Sequence, residues 1–266
     1  MRSIWRCTVF IICGDNMGMT LLDDSICQVR EYVEELRSLG RAVTVFDAPP
    51  ISVALPVAVG KGAHSGLVLR GDTWLELGNP EAGSCSCTFF TATPGLVRDG
   101  RVTVIGPDVS DACGKSLPFG QILLIGGDEL QEGDCELLMH MGVIGDSIEG
   151  YMVRSSRQSV WSRISRDVAL KGFTLKTLGR ALRTLHKAGS CKIQAMETIF
   201  VSSSREDLER LAEIAREGLR ITREIARVTW KARGIDLDCS LDCSSCDDKT
   251  VCDDLKELLG ERVSAS

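Results

Sequence analysis

Apolar and polar positions follow two different periods along the chain, and together these periods predict an α+β fold. Residues 21–40 and 174–188 place aliphatic side chains three and four positions apart, as in amphipathic helices. A longer helix should begin near Ser203, which is spaced from Glu206 as in a capping box, and run toward Trp230. Short runs rich in β-branched and aromatic residues predict the strands WLEL, CTFFTA, RVTVIG, QILLIGG and KIQAMETIFV. We therefore expect a mixed sheet with packed helices.

Changes in this pattern divide the chain into three zones. Residues 1–66 predict a small strand-helix-strand unit, in which IWRCTVFIICGD and RAVTVFDAPP form a parallel sheet joined by a right-handed crossover. Residues 67–235 carry the remaining strands and helices and predict a middle α+β domain. Residues 236–266 form a cysteine-rich tail.

Charge and composition argue against two classes of partner. The net charge is −6, whereas phosphate binding normally requires a basic surface, so we expect no nucleic-acid partner. No apolar run reaches the roughly 18 residues of a membrane-spanning helix, so we expect no membrane partner. The apolar run TVFIIC is not followed by a small-residue cleavage site, and we interpret it as a buried strand. Twelve cysteines fit a reducing compartment, which predicts a cytoplasmic protein.

Four cysteines lie close together in the tail. Their spacing is C-x3-C-x2-C-x5-C, and they are Cys239, Cys243, Cys246 and Cys252. Thiolates bind soft and borderline metals, and short loops let one chain segment surround a single centre. We expect a four-iron four-sulfur cluster, because zinc sites more often join two C-x2-C pairs across a longer spacer. Structural zinc stays open as an alternative, and disulfides are disfavoured because nothing marks the chain as secreted.

Four segments of the middle zone together resemble a known family. They are WLELGNPEAGS, RVTVIGPDVSD, KSLPFGQILLIGG and WSRISRDVALKGFTLKTLGRAL, and a C-x2-C motif follows them after the long helix. In this order they are similar to the middle region of acetyl-CoA synthase, the β-subunit family of the acetyl-CoA decarbonylase/synthase complex. The likeness covers about residues 67–235. It implies the fold of that region and a place in carbon monoxide and one-carbon metabolism.

The resemblance also implies a cluster site. In the family, cysteines after the long helix hold a cubane linked to nickel. Cys243 and Cys246 match the first two of these positions, and Cys252 matches the third across a shortened loop. This sequence ends fourteen residues after Cys252, before the further cysteines of the family's nickel site. We therefore expect Cys239 to supply a fourth thiolate and close the cubane, while the binding of nickel stays open.

Three classes of function follow from these expectations. The resemblance implies an acyltransferase of the CO-methylating acetyl-CoA synthase type, acting with another subunit. The closed cluster instead favours a non-catalytic partner or electron-transfer subunit that docks with CO dehydrogenase, a corrinoid protein or a ferredoxin. A zinc-stapled binding module is the third possibility.

Basic residues are concentrated between positions 151 and 192, where ten of them face a single acid, Asp167. In an acidic protein such an excess predicts an anionic partner, and coenzyme A fits the resembled family, as does an acidic ferredoxin. A solvated helix face is the competing interpretation. The tryptophan of the segment W-x-R-I-S matches one of the family and either stacks on an adenine or lies in the core. The candidate binding residues are Arg157, Trp161, Arg163 and Arg166.

Other candidates have simpler interpretations. Cys85 and Cys87 form a C-x-C pair that suits nickel, but alternate residues of a strand share one face, and we interpret both as core residues. His186 lies near the end of a basic helix and is expected to cap it as a cation. His140 is expected to lie in the core, and His64 lies in a loop with no evident partner.

Overall fold

A computed structural model describes residues 22–47, 54–60, 63, 67–130, 147–155 and 158–232, with the backbone alone for 223–232. The chain divides into two compact units, Met1–Ile221 and Thr222–Ser266. Both sheets lie in the first unit, and the second is described only as the end of the last helix. Among the described residues, no helix is long and apolar enough to cross a membrane.

The described part of the chain contains nine strands and four α-helices. The strands are β1 (Val43–Phe46), β2 (Thr73–Leu77), β3 (Ser84–Thr91), β4 (Val102–Ile105), β5 (Ser116–Leu117), β6 (Phe119–Gly126), β7 (Tyr151–Ser155), β8 (Val160–Ser165) and β9 (Ala195–Val201). The helices are α1 (Asp23–Ser38), α2 (Arg166–Leu170), α3 (Leu175–Gly189) and α4 (Arg205–Ala232).

These strands form two sheets. The larger has the order β1-β4-β9-β6-β3, and its neighbouring pairs alternate between antiparallel and parallel. The smaller has the order β5-β2-β8-β7, with antiparallel pairs except between β5 and β2. Mixed sheets with packed helices confirm the predicted α+β class.

Helices cover both faces of the five-stranded sheet. α3 packs on β4 and β9, where a Cβ on Gly179 would lie 3.4 Å from the ring of Phe200. A Cβ on Gly120 of β6 would instead lie 2.8 Å from the side chain of Leu211 in α4 and 3.1 Å from Val201. Because Phe200 and Val201 are successive residues of β9, they point to opposite faces. The helices α3 and α4 therefore lie on opposite sides of this sheet.

Two details of the sequence-based prediction differ from the structure. The capping residue of α4 is Ser204 instead of Ser203, since Ser204 Oγ accepts the backbone N–H of Asp207 at 3.2 Å. The strands β5, β7 and β8 and the short helix α2 are absent from the predicted elements. The first predicted strand, within residues 1–21, lies outside the described residues, and the second is β1, which pairs antiparallel with β4.

A buried ion pair fixes α1 to the centre of the larger sheet. Glu197 of β9 is fully buried, and both of its oxygens accept hydrogen bonds from Arg30 of α1, at 2.5 and 2.6 Å. The same carboxylate accepts the backbone N–H of Arg98 at 3.1 Å, while Arg30 also donates to the carbonyl of Leu96. The hydrogen bonds to Glu197 raise the pKa of the Arg30 guanidinium. Every oxygen of a carboxylate without access to water is thus satisfied.

His186 is a core residue of α3, so its expected role as a cationic cap is wrong. The side chain is fully buried, and its Nδ1 lies 2.8 Å from the carbonyl oxygen of Leu182. A neutral ring that donates from Nδ1 leaves Nε2 as an acceptor, and this atom is buried without a hydrogen-bond partner among the described residues. Burial lowers the pKa of His186, because the charged ring would lose its hydration.

Replacing Arg30 with methionine should destabilise the protein, because the Glu197 carboxylate would stay buried without its cation. Loss of one partner from a buried ion pair typically costs 3–5 kcal/mol, and we expect about 3 kcal/mol in the free energy of unfolding because Arg30 is partly exposed. Urea unfolding measures this difference. Arg37→Met is the matched control, since Arg37 pairs with Glu34 on the exposed face of α1 and its loss should cost less than about 1 kcal/mol. Equal losses in the two variants would contradict the assignment.

Acid should weaken the fold through His186. Its pKa lies below the ordinary value of about 6.5 in the folded protein, so the unfolded chain binds more protons as the pH falls through that value. Stability should therefore decrease between about pH 7 and pH 5, above the range in which carboxylates titrate. His186→Leu should show a flatter dependence in urea unfolding at several pH values. Parallel curves for the two proteins would show that His186 does not cause the effect.

Candidate functional site

The strand β8 presents Trp161 and Arg163, two of the predicted binding residues, on one face of the four-stranded sheet. Even-numbered residues of this strand are buried and odd-numbered residues are half-buried. In the antiparallel pair of β2 and β8, Glu76 lies directly opposite Arg163. This register places a carboxylate next to both candidate side chains.

Glu76 organises the other two residues through one of its oxygens. Its Oε1 accepts a hydrogen bond from Trp161 Nε1 at 3.0 Å and another from Arg163 Nε at 3.1 Å. The Arg163 guanidinium carbon also lies 4.8 Å from the centre of the Trp161 ring, a cation–π contact. Partial burial acts to raise the pKa of Glu76, but the hydrogen bonds from Arg163 and Trp161 outweigh it and lower that pKa. Glu76 is therefore an anion at neutral pH.

The turn after β2 and the strand β5 supply the polar neighbours of the second oxygen of Glu76. Asn79 Nδ2 and Ser116 Oγ each lie 3.4 Å from Oε2, and Asn79 Nδ2 donates to Ser116 Oγ at 2.7 Å. Gly78 starts this turn with a φ of +69°, and a Cβ there would lie 2.3 Å from the carbonyl oxygen of Val160 in β8. Glycine is required by both the backbone conformation and the contact. The turn can thus lie against β8 close to the Glu76 carboxylate.

The remaining predicted binding residues differ in what the structure says of them. Arg166 is the first residue of α2 and is exposed. Arg157 lies outside the described residues. Trp161 is neither a fully buried core residue nor a free aromatic surface, because its indole N–H is bound by Glu76 and Arg163 covers its ring.

Acids from distant parts of the chain balance much of the basic excess. Asp99 binds two of these cations, whose hydrogen bonds overcome the effect of burial and hold the pKa of its carboxyl at about 2. Four of the ten basic residues form ion pairs with such acids: Arg163 with Glu76, Lys171 with Glu149, and Arg183 and Lys187 with Asp99. These four cations therefore do not require an external anion to neutralise them.

The predicted metal ligands of the tail, Cys239, Cys243, Cys246 and Cys252, all lie outside the described residues. So do His64 and His140.

The C-x-C pair of β3 lies within the described residues and is buried. Cys85 and Cys87 are buried in β3, which confirms their interpretation as core residues. Burial raises the pKa of the Cys85 thiol to about 12 and that of Cys87 well above its ordinary value. In the same part of the chain, no three histidine, cysteine or acidic side chains are grouped as metal ligands.

Glu76 is the functional candidate that the sequence analysis does not identify. The signal for it is the alternation in WLEL, where Leu75 and Leu77 are buried and Glu76 lies on the opposite face of the strand. That alternation predicts an exposed acid but not its partners, because Trp161 and Arg163 are 85 and 87 residues away along the chain.

Comparison with known proteins places these strands in a shared domain. Residues 55–206, more than half of the chain, match the family described as CO dehydrogenase/acetyl-CoA synthase complex beta subunit. The chain is 30% identical over 165 residues to the acetyl-CoA decarbonylase/synthase complex subunit beta of Methanopyrus kandleri, covering 61% of this chain and 35% of that protein. It is 33% identical over 144 residues to the subunit beta 2 of Methanosarcina thermophila, covering 53% and 30%.

A further relative has a lower identity and is an alpha subunit. The carbon monoxide dehydrogenase/acetyl-CoA synthase subunit alpha of Moorella thermoacetica is 27% identical over 171 residues, which are 63% of this chain and 23% of that protein. The chain thus spans about a third or less of the length of these three relatives. The shared part includes every described strand except β1.

Proposed function

The chain belongs to the CO dehydrogenase/acetyl-CoA synthase complex beta subunit family, and we propose that it acts as a subunit of such a complex in carbon monoxide and acetyl-CoA metabolism. The observation that carries this proposal is the family match over residues 55–206, which contains the four-stranded sheet with Glu76, Trp161 and Arg163. The match covers only 35% of the Methanopyrus kandleri protein, so the family match by itself does not assign that protein's activity to this chain.

The second part of the proposal is an iron–sulfur cluster on Cys239, Cys243, Cys246 and Cys252. The donor set supports it, because four closely spaced thiolates match the ligands of a cubane cluster. The buried pair Cys85 and Cys87 is a poorer ligand set, because burial keeps both thiols protonated. Such a cluster would supply one-electron transfer, and the tail cysteines would hold it.

Ligand count favours a non-catalytic role for that cluster. A cubane whose irons are all bound by thiolates offers no open position for carbon monoxide or a methyl group. We therefore propose that the chain holds the cluster for electron transfer or for docking with CO dehydrogenase, a corrinoid protein or a ferredoxin. Acetyl formation of the CO-methylating type would then require another subunit. A zinc-stapled binding module is the alternative for the same four cysteines.

Coenzyme A is the proposed small ligand of the face of β8 that carries Trp161 and Arg163, and Arg166 at the start of α2 is proposed as a further contact. Both arginines reach solvent, Arg166 as an exposed residue and Arg163 with 21% of its side chain accessible. Guanidinium groups match the geometry of phosphate oxygens. Arg157 belongs to the same proposal on sequence alone.

Protein purified without oxygen should be brown and contain about four irons per chain, the content of one cubane. Cys246→Ala should lose the colour and the iron, because one thiolate ligand is removed. Iron analysis and visible absorption measure both effects. Cys191→Ala is the matched control, since Cys191 is an exposed cysteine outside the tail, and it should keep its iron. Colourless protein with one zinc would favour the zinc module.

The isolated chain should not exchange label between carbon monoxide and the carbonyl carbon of acetyl-CoA, even with nickel and a methyl donor supplied. The physical reason is the lack of an open metal position in a cubane closed by four thiolates. A complete acetyl-CoA-forming complex, assayed in parallel, is the positive control. Nickel-dependent exchange by the chain alone would contradict the four-thiolate assignment and support a catalytic role.

A further inference from the structure

The guanidinium of Arg163 is already engaged by groups of the chain itself. Its Nε donates to Glu76 Oε1 at 3.1 Å, its Nη1 donates to the carbonyl of Val68 at 3.3 Å, and Trp161 lies against its face. The side chains of Arg163 and Glu76 are 21% and 25% exposed, so a ligand in solvent can reach both. Any anion that binds Arg163 by its Nε edge must take the place of Glu76.

Displacement of Glu76 depends on the charge and shape of the incoming anion. The carboxylate carries one negative charge at neutral pH, because its pKa is lowered by its hydrogen bonds to Arg163 and Trp161 despite partial burial. A phosphate monoester carries about −1.5 to −2 at pH 7 on three terminal oxygens. A phosphodiester group carries a single charge on two oxygens, as a carboxylate does. A monoester is therefore a stronger competitor for this guanidinium than a diester.

The surroundings of Glu76 provide a second position for its carboxylate. Asn79 Nδ2 and Ser116 Oγ both lie 3.4 Å from Oε2, whereas Arg163 Nε binds Oε1, and both are polar groups able to donate a shorter hydrogen bond. The displaced carboxylate would then keep hydrogen-bond partners. Without them, removal of Glu76 from Arg163 would leave a half-buried charge unsatisfied.

We propose that Glu76 is the specificity-determining residue of this face, because it competes for Arg163 and yields only to a phosphate monoester dianion. The inference rests on the proposed coenzyme A site. It assigns the 3′-phosphate, the one monoester of coenzyme A, to Arg163, and it leaves the pyrophosphate to other cations. Glu76 thereby makes the site respond to a single phosphate of the ligand.

Calorimetry on the full chain with coenzyme A, dephospho-coenzyme A and adenosine 3′,5′-bisphosphate tests the proposal. Glu76→Gln should bind coenzyme A and the bisphosphate about fivefold more tightly than the wild type, the factor expected when a partly exposed ion pair no longer competes. Dephospho-coenzyme A, which lacks the 3′-phosphate, should bind both proteins equally. In an Arg163→Gln background, Glu76→Gln should produce no gain. Glu213→Gln, at an exposed pair on α4, is the matched control and should change nothing.

Each of the other possible results contradicts a specific part of the proposal. An unchanged or weaker affinity for coenzyme A in a folded Glu76→Gln variant would overturn the competition and leave the coenzyme A site standing. An equal gain for dephospho-coenzyme A would overturn the selectivity for a monoester. Gain for the bisphosphate without binding of coenzyme A would support competition and reject that cofactor. No binding by either protein at low salt would overturn both proposals.

Thermal unfolding checks that the Glu76→Gln variant is folded. If it does not fold, Glu76→Asp replaces it, because its shorter side chain retracts the carboxylate and should change the affinity in the same direction.

Discussion

Close approach of backbone to neighbouring elements is the constraint on which this fold depends. At Gly78, Gly106, Gly120 and Gly179 an added Cβ would meet another element at 2.3 to 2.8 Å, closer than real Cβ atoms come. Each of these glycines lies in one of the four segments that carry the family resemblance. Gly150 and Gly218, where an added Cβ would lie 2.4 and 2.2 Å from a neighbouring side chain, show that such contacts also occur outside these segments. Interiors packed at such density tolerate little change in volume. The family resemblance therefore indicates the fold more directly than it indicates a reaction.

Local patterns predicted the elements well, and long-range pairing explains what they did not predict. Periodic leucines and short β-branched runs indicate α3 and β9 because one face of each is buried, and burial acts on every third, fourth or second residue. The strand β8 was not predicted because its buried face includes Ser162 and its outward face includes Trp161, and both obscure the alternation of apolar and polar residues. Its alternation becomes informative only once Glu76 is placed opposite Arg163, and that register is a tertiary property.

Burial decides which titratable groups can do chemistry, and sequence position is a poor guide to it. His186 was expected at a solvated helix end because basic residues surround it, yet the side chain lies on the inner face of α3. For Cys85 and Cys87, by contrast, the prediction was correct, because their alternation in a strand indicated that both lie in the core. The difference is that each residue of a helix turns by about 100°, so a shift of one or two positions moves a side chain from the exposed face to the buried face. The alternation of a strand leaves only two choices.

The pair of Arg30 and Glu197 joins residues 167 positions apart, and one of them lies outside the family match that begins at residue 55. The boundary of sequence similarity is therefore not the boundary of the folding unit. A segment trimmed to residues 55–206 would contain the central strand β9 but neither the cation that neutralises it nor the edge strand β1. During synthesis, likewise, α1 leaves the ribosome long before its acidic partner exists. The larger sheet can close its core only after the chain has been made as far as β9.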